Sequence, residues 1–143
     1  MARTVQVVID CVDPAAVAEF WAQALGYVVQ PPPEGFDTWP DALAAWGVPK
    51  ERWDSASAVI DPDGVGPRVF LQKVPEGKVV KNRLHLDVRI SDPTDDPDAR
   101  DAAVMAEVER LEQLGATRVD WRFEEGHHFM VMRDVEGNEF CLT

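Results

Sequence analysis

At 143 residues the chain has the length of one domain, and its 45% hydrophobic content supplies a core without metal or disulfide staples. A formal net charge of -12 and a sequence pI near 4.5 argue against general affinity for DNA, RNA or anionic membranes. No stretch of about 18 apolar residues and no signal-peptide pattern occurs, so a cytoplasmic protein that does not span a membrane is expected.

Residues 5 to 12, "VQVVIDCV", are β-branched and apolar enough for a buried strand. Asp13-Pro14 follows, an N-cap residue and a favoured first helical residue. Val17, Phe20, Trp21, Ala24 and Leu25 then recur at the spacing of one helix face, and Gly26 supplies a C-terminal stop. Tyr27 to Gln30 begins a second strand. Residues 31 to 54 hold three prolines together with Trp39, Trp46 and Trp53, and a short helix is predicted around Asp41 to Trp46. Two readings of these tryptophans stand side by side: they line a ligand pocket, or they fasten the segment to the body of the domain. Ser55 to Ile60 and Arg68 to Val74 read as strands about the turn "DPDGVG".

The second half repeats the first. "RLHLDVRI", residues 83 to 90, is a predicted strand, and Asp92-Pro93 follows it as Asp13-Pro14 followed the first. "TDDPDARD" reads as an acidic insertion ahead of a helix whose buried side is marked by Met105, Val108 and Leu111, with Leu114-Gly115 at its end. Residues 117 to 123, 127 to 134 and 139 to 142 complete three more strands. The order strand-helix-strand-strand-strand therefore occurs twice, over about 5–74 and about 84–143, within one domain spanning 1–143. The fold class predicted is α+β: two tandem βαβββ modules whose curved, mixed, mainly antiparallel sheets carry their helices on one side and surround a central cleft.

Three further features bear on chemistry. Cys11 and Cys141 sit in apolar runs and are expected as buried free thiols. Lys78, Lys81 and Arg83 form the nearest approach to a basic cluster, readable as a solvated strand approach or as one wall of a pocket for an anion. His127 and His128 are adjacent on a strand, so alternation sends them to opposite faces and they cannot share one simple metal site.

The order of elements, with "VxxDxxDPxxxAxFWxxxLGY" early and "RLHLDV" and "DVEGNEFCL" late, resembles the vicinal oxygen chelate superfamily. More narrowly it resembles the glyoxalase-like domain proteins, of the glyoxalase–bleomycin resistance–dioxygenase type. That resemblance implies a fold shared by isomerases, dioxygenases, epimerases, thiol transferases and drug-sequestering proteins, and a homodimer. In metal-using members a ligand lies on the first strand, seven residues before the Asp that starts the helix. Gln6 holds that place before Asp13, and His85 holds it before Asp92. A carboxylate ligand is expected four residues after the Gly of the last turn, where this chain has Cys141; Glu139 points to the same face two residues earlier, roughly 6–7 Å away. Gln72 is the expected polar occupant of the matching corner in the first copy.

The ligand-binding set implied is thus Gln6, Asp10, Gln72, His85, Asp87, Glu139 and Cys141. Asp87, two residues after His85, is expected as its partner on the same face. Asp10 is expected either to hold an imidazole protonated or to hydrogen-bond backbone at its strand end. No functional metal is expected. If a divalent ion does bind, Gln6 and His85 with Glu139 or Cys141 would be its ligands. The cofactor and the catalytic residues stay unassigned, and two function classes remain open. One is a small-molecule binding protein without assured chemistry. The other is a metal-dependent lyase, isomerase or dioxygenase acting on a small organic substrate.

Overall fold

Asp13 caps the first helix as its sequence demands: its carboxylate accepts the Ala16 N–H at 3.1 Å, Pro14 follows, and Gly26 closes the far end at φ 68°. This helix belongs to the first of two compact units, Met1–Gly77 and Lys78–Thr143, into which the computed structural model of residues 1–143 divides.

The first unit runs β1 (Val7–Cys11), α1 (Pro14–Leu25), β2 (Val28–Val29), α2 (Trp39–Ala45), a single turn of tight helix at Lys50–Arg52, β3 (Ala56–Ile60) and β4 (Val69–Lys73). Its four-stranded sheet has the order β1-β4-β3-β2, with β1 parallel to β4 and the other pairs antiparallel. α1 packs on β3 and β4. Val17, Phe20, Trp21 and Ala24 from the helix meet Val59, Val69 and Leu71 from the strands, all buried. Each large side chain so buried contributes roughly 1.5–3 kcal/mol.

The second unit runs β5 (Asp87–Val88), α3 (Pro97–Gln113), β6 (Thr117–Glu124), β7 (His127–Arg133) and β8 (Glu139–Leu142). The sheet order is β5-β8-β7-β6, with β5 parallel to β8. Val104, Val108 and Leu111 of α3 bury against Met130, Met132, Phe140 and Leu142. The two units therefore repeat one topology, a pair of open mixed sheets each carrying a long helix, and the α+β class and tandem βαβββ order expected from the sequence are the architecture observed. No helix is long and apolar enough to cross a membrane.

Three local expectations are corrected. The acidic stretch before α3 is not an insertion: Asp96 is the N-cap, its carboxylate accepting the Ala99 N–H at 3.2 Å, and Pro97-Asp98 form the first turn. Asp92 instead closes a turn on Thr94 through that residue's N–H and hydroxyl. Val104 rather than Met105 faces the core, because Val104, Val108 and Leu111 share the stripe that meets the sheet while Met105 is only half-buried. The expected strand 83–90 shrinks to Asp87–Val88, since only Leu86 to Ile90 reach hydrogen bonds to β8 and Leu84 stays exposed.

Candidate functional site

The register of each sheet relates the two units position by position. Val69 pairs with Val59 and Phe140 with Met132, and all four are buried beneath the helices. One residue on, Phe70 pairs with Val8 and Cys141 with Asp87. Phe70 is thus the counterpart of Cys141, and Gln6, two residues before Val8, is the counterpart of His85. Gln72, expected at the corner matching Cys141, instead stands two residues further along, exposed between Asp10 and Ala56. Asp10 is likewise exposed on β1.

In the second unit the structure gathers His85, Asp87 and Cys141. Their candidate ligand atoms all lie within 4.8 Å of one another, and His85 Nε2 is 3.3 Å from Asp87 Oδ1. Strand alternation explains this: His85 and Asp87 share a face, and parallel pairing sets Cys141 opposite Asp87. Burial pushes the Cys141 thiol up to about 11, reinforced by the charge of Asp87 and a hydrogen bond to it. The sulfur is therefore a neutral S–H at neutral pH.

Glu139 lies outside this cluster. Its carboxylate accepts the Asn82 N–H at 2.9 Å and pairs with Lys78 Nζ at 3.1 Å, with Arg133 Nε at 4.0 Å. Burial alone would raise its pKa, but Asn82 and Lys78 together hold it down at about 2. The basic residue nearest the turn is therefore engaged with Glu139, while Lys81 donates to the Asn82 carbonyl and its charge acts on Cys141. His128 stacks on Trp121 with ring centres 5.0 Å apart and pairs with Asp101 of α3 at 2.7 Å, while His127 neighbours Phe129.

A recess in the first unit has a volume of about 860 Å³. Its apolar walls come from Trp39, Leu43, Val48 and Trp53 in the proline- and tryptophan-rich segment, and from Ala56, Ala58 and Phe70 on the sheet. The two readings of the tryptophans turn out to be compatible. Trp39 Nε1 donates to the Gln30 carbonyl at 2.8 Å, which fastens the segment to the end of β2, and Trp53 Nε1 donates to the Val48 carbonyl at 2.9 Å within the segment, while both rings line the recess. Trp46 packs edge-on against Phe36 and Trp39 and remains exposed.

Sequence reasoning missed the polar groups of this recess. Arg68 Nε donates to Gln30 Oε1 at 2.7 Å and its Nη1 to Gln6 Oε1 at 2.6 Å, and the guanidinium carbon lies 5.1 Å from the centre of the Phe70 ring. Lys73 is paired with Asp54. The available signal was parity: Arg68, immediately before β4, continues the alternation of Phe70 and Gln72, opposite buried Val69 and Leu71.

The sequence profile of the glyoxalase-like domain matches residues 6–143. No functionally curated protein matches. Among solved structures, a glyoxalase/bleomycin resistance protein/dioxygenase family enzyme from Burkholderia phytofirmans PsJN superposes with a TM-score of 0.64 at 15% identity, covering 99% of this chain and 97% of the other. The fosfomycin resistance protein FosX from Mesorhizobium loti superposes at 0.61 with 13% identity, covering 99% and 91%. A variant of FosX from Listeria monocytogenes, in complex with Mn(II) and a dihydroxypropylphosphonic acid, gives 0.61 with 11% identity over 99% and 89%. At these identities the likeness is one of fold.

Proposed function

Because the chain belongs to the glyoxalase-like domain family, we propose that it is a small-molecule binding protein whose ligand occupies the recess of the first unit. The observation that carries this reading is the recess itself, about 860 Å³ with two tryptophans and a phenylalanine among its walls. That size and lining suit a drug-sized ligand with a planar apolar body. Edge and face contacts from Trp39, Trp53 and Phe70 would supply most of the affinity, and the few polar groups would set orientation. The proposal assigns no chemistry to the binding event. It also has the chain acting as a cytoplasmic homodimer, and its net charge of -12 supports a role apart from nucleic acid and membrane.

The test is calorimetric titration with naphthamide, an uncharged planar probe. Saturable binding that is abolished in Ala56→Trp, where a new indole fills the recess, is the expected result. Binding that survives Ala56→Trp, or no binding to the native protein of either naphthamide or its acid counterpart naphthoate, would overturn the reading.

A second reading, a metal-dependent lyase, isomerase or dioxygenase, is favoured by the convergence of His85, Asp87 and Cys141. Imidazole, carboxylate and thiolate are all zinc donors, so the set fits a borderline-soft ion better than a hard oxygen-seeking one. Glu139 does not fit as a ligand, since Lys78 and Asn82 already hold it. Gln6 serves the first unit, where its amide oxygen accepts from Arg68. A bound ion would supply Lewis acidity toward a carbonyl or lower the pKa of a bound water. His85 and Asp87 would hold it through imidazole and carboxylate, and Cys141 would give up its proton on binding. Metal analysis of freshly purified protein decides: near-stoichiometric Zn, Fe, Ni or Mn lost in His85→Ala favours the enzyme, and protein that stays metal-free when offered each ion excludes it.

A further inference from the structure

Arg68 is held in a way that leaves its charge unspent. Both of its acceptors, Gln30 Oε1 and Gln6 Oε1, are neutral amide oxygens, and no carboxylate pairs with it. Of the two other cations that line the recess, Lys73 is paired with Asp54 and Arg52 stands exposed. In a chain of net charge -12, a half-buried guanidinium oriented by two glutamines and resting over Phe70 is a conspicuous departure from the usual carboxylate partner.

The chemistry follows from the geometry of the fork. A guanidinium has five N–H donors, and one on Nε and one on Nη1 are used by the glutamines. The remaining donors on the two Nη atoms stay available at a residue that lines the recess beside Phe70 and Trp39. A guanidinium so placed matches a carboxylate, two oxygens against two N–H groups, in a site whose apolar walls weaken competition from water. Neutral glutamine acceptors fix the fork without cancelling its field, as an aspartate or glutamate would.

Resting on the reading of this recess as a ligand site, we propose that its ligand is a planar organic acid, its carboxylate received by Arg68 and its apolar body lying against Trp39, Trp53 and Phe70. Gln30 and Gln6 are positioning residues for that guanidinium; Gln6 does this from outside the recess.

The experiment is paired calorimetric titration of naphthoate and naphthamide, probes of one shape that differ in charge. In the native protein naphthoate is expected to bind roughly ten-fold to a hundred-fold tighter, the range of a charge-assisted hydrogen bond. That preference should shrink as salt rises. Arg68→Met should weaken the acid far more than the amide, so that most of the preference is lost. Gln6→Leu should weaken naphthoate selectively and by less, because the fork loses one of its two props. Equal binding of both probes to the native protein would overturn the assignment while leaving the recess as a ligand site. Failure of both probes would overturn the recess reading and the assignment with it. If Arg68→Met does not fold, by circular dichroism, the native comparison at low and high salt decides alone: a preference indifferent to salt counts against Arg68.

Discussion

Asp87 stands directly opposite Cys141 in the parallel pairing of β5 with β8, and the two side chains lie close enough for the thiol to hydrogen-bond the carboxylate. Burial, then the charge of Asp87, then that hydrogen bond, all favour the protonated sulfur, so the pKa rises to about 11 from an ordinary 9.0. Alkylation of Cys141 by iodoacetamide, followed by peptide mass mapping to separate it from buried Cys11, should therefore stay slow at neutral pH and accelerate only toward pH 11. Asp87→Asn should move that onset to lower pH. An unchanged profile in the variant would show that burial alone governs the thiol.

Glu139 makes the opposite case. Its carboxylate is mostly buried, yet Asn82 and Lys78 outweigh that burial and depress its pKa from 4.5 to about 2. A carboxyl whose folded pKa is depressed stabilises the fold above its unfolded value and loses that contribution as pH falls through the folded one. The window here runs from about 4.5 down to about 2. With solvent screening allowed for, the contribution at neutral pH is about 1 kcal/mol. Glu139→Gln should lower urea stability by that amount at pH 7 and by little near pH 2. A loss of equal size at both pH values would mean that shape, not charge, is what the position requires.

Gly66 tests the turn ahead of β4. A Cβ added there would fall 1.9 Å from Tyr27 Oη, while the Gly66 N–H donates to Asp61 Oδ2 at 2.7 Å. Gly66→Ala should cost about 1–3 kcal/mol by forcing the ring aside. The double change Gly66→Ala with Tyr27→Phe should recover part of that loss in denaturant titrations, since the phenolic oxygen is the nearest atom met.

The start of α3 separates two aspartates that look alike in the sequence. Asp96 accepts the Ala99 N–H as N-cap, whereas Asp92 serves a turn with Thr94. Asp96→Ala should destabilise the protein by about 1 kcal/mol. Asp92→Ala should change thermal stability by no more than about 0.5 kcal/mol, the usual range for a surface substitution.

That pair shows where local reading succeeds and where it stops. At α1 the cap, the proline, the apolar stripe and the closing glycine agree over consecutive residues, and the helix forms as read. At α3 two Asp-Pro pairs compete within a few residues, and only packing of Val104, Val108 and Leu111 on β7 and β8 selects Pro97 as the start. Of the candidate residues, His85 and Asp87 could be set on one face by alternation alone, whereas Cys141 joins them only through the pairing of β5 with β8. Gln72 could not be placed from the sequence, because its register depends on which β4 residue faces Val8, a long-range pairing that no local pattern carries.

The sequence by itself determined the repeated order of strands and helices, the caps of α1, the buried thiols and the acid balance, since each depends on neighbours in the chain or on composition. Only the tertiary structure decided that Glu139 belongs to Lys78 and Asn82 and that Phe70 mirrors Cys141. It alone brought Gln6 and Gln30 to Arg68, 62 and 38 residues away in the chain. Such partners meet through strand pairing across distant segments, and a hydrogen bond between them depends on side-chain positions fixed by the packed sheet.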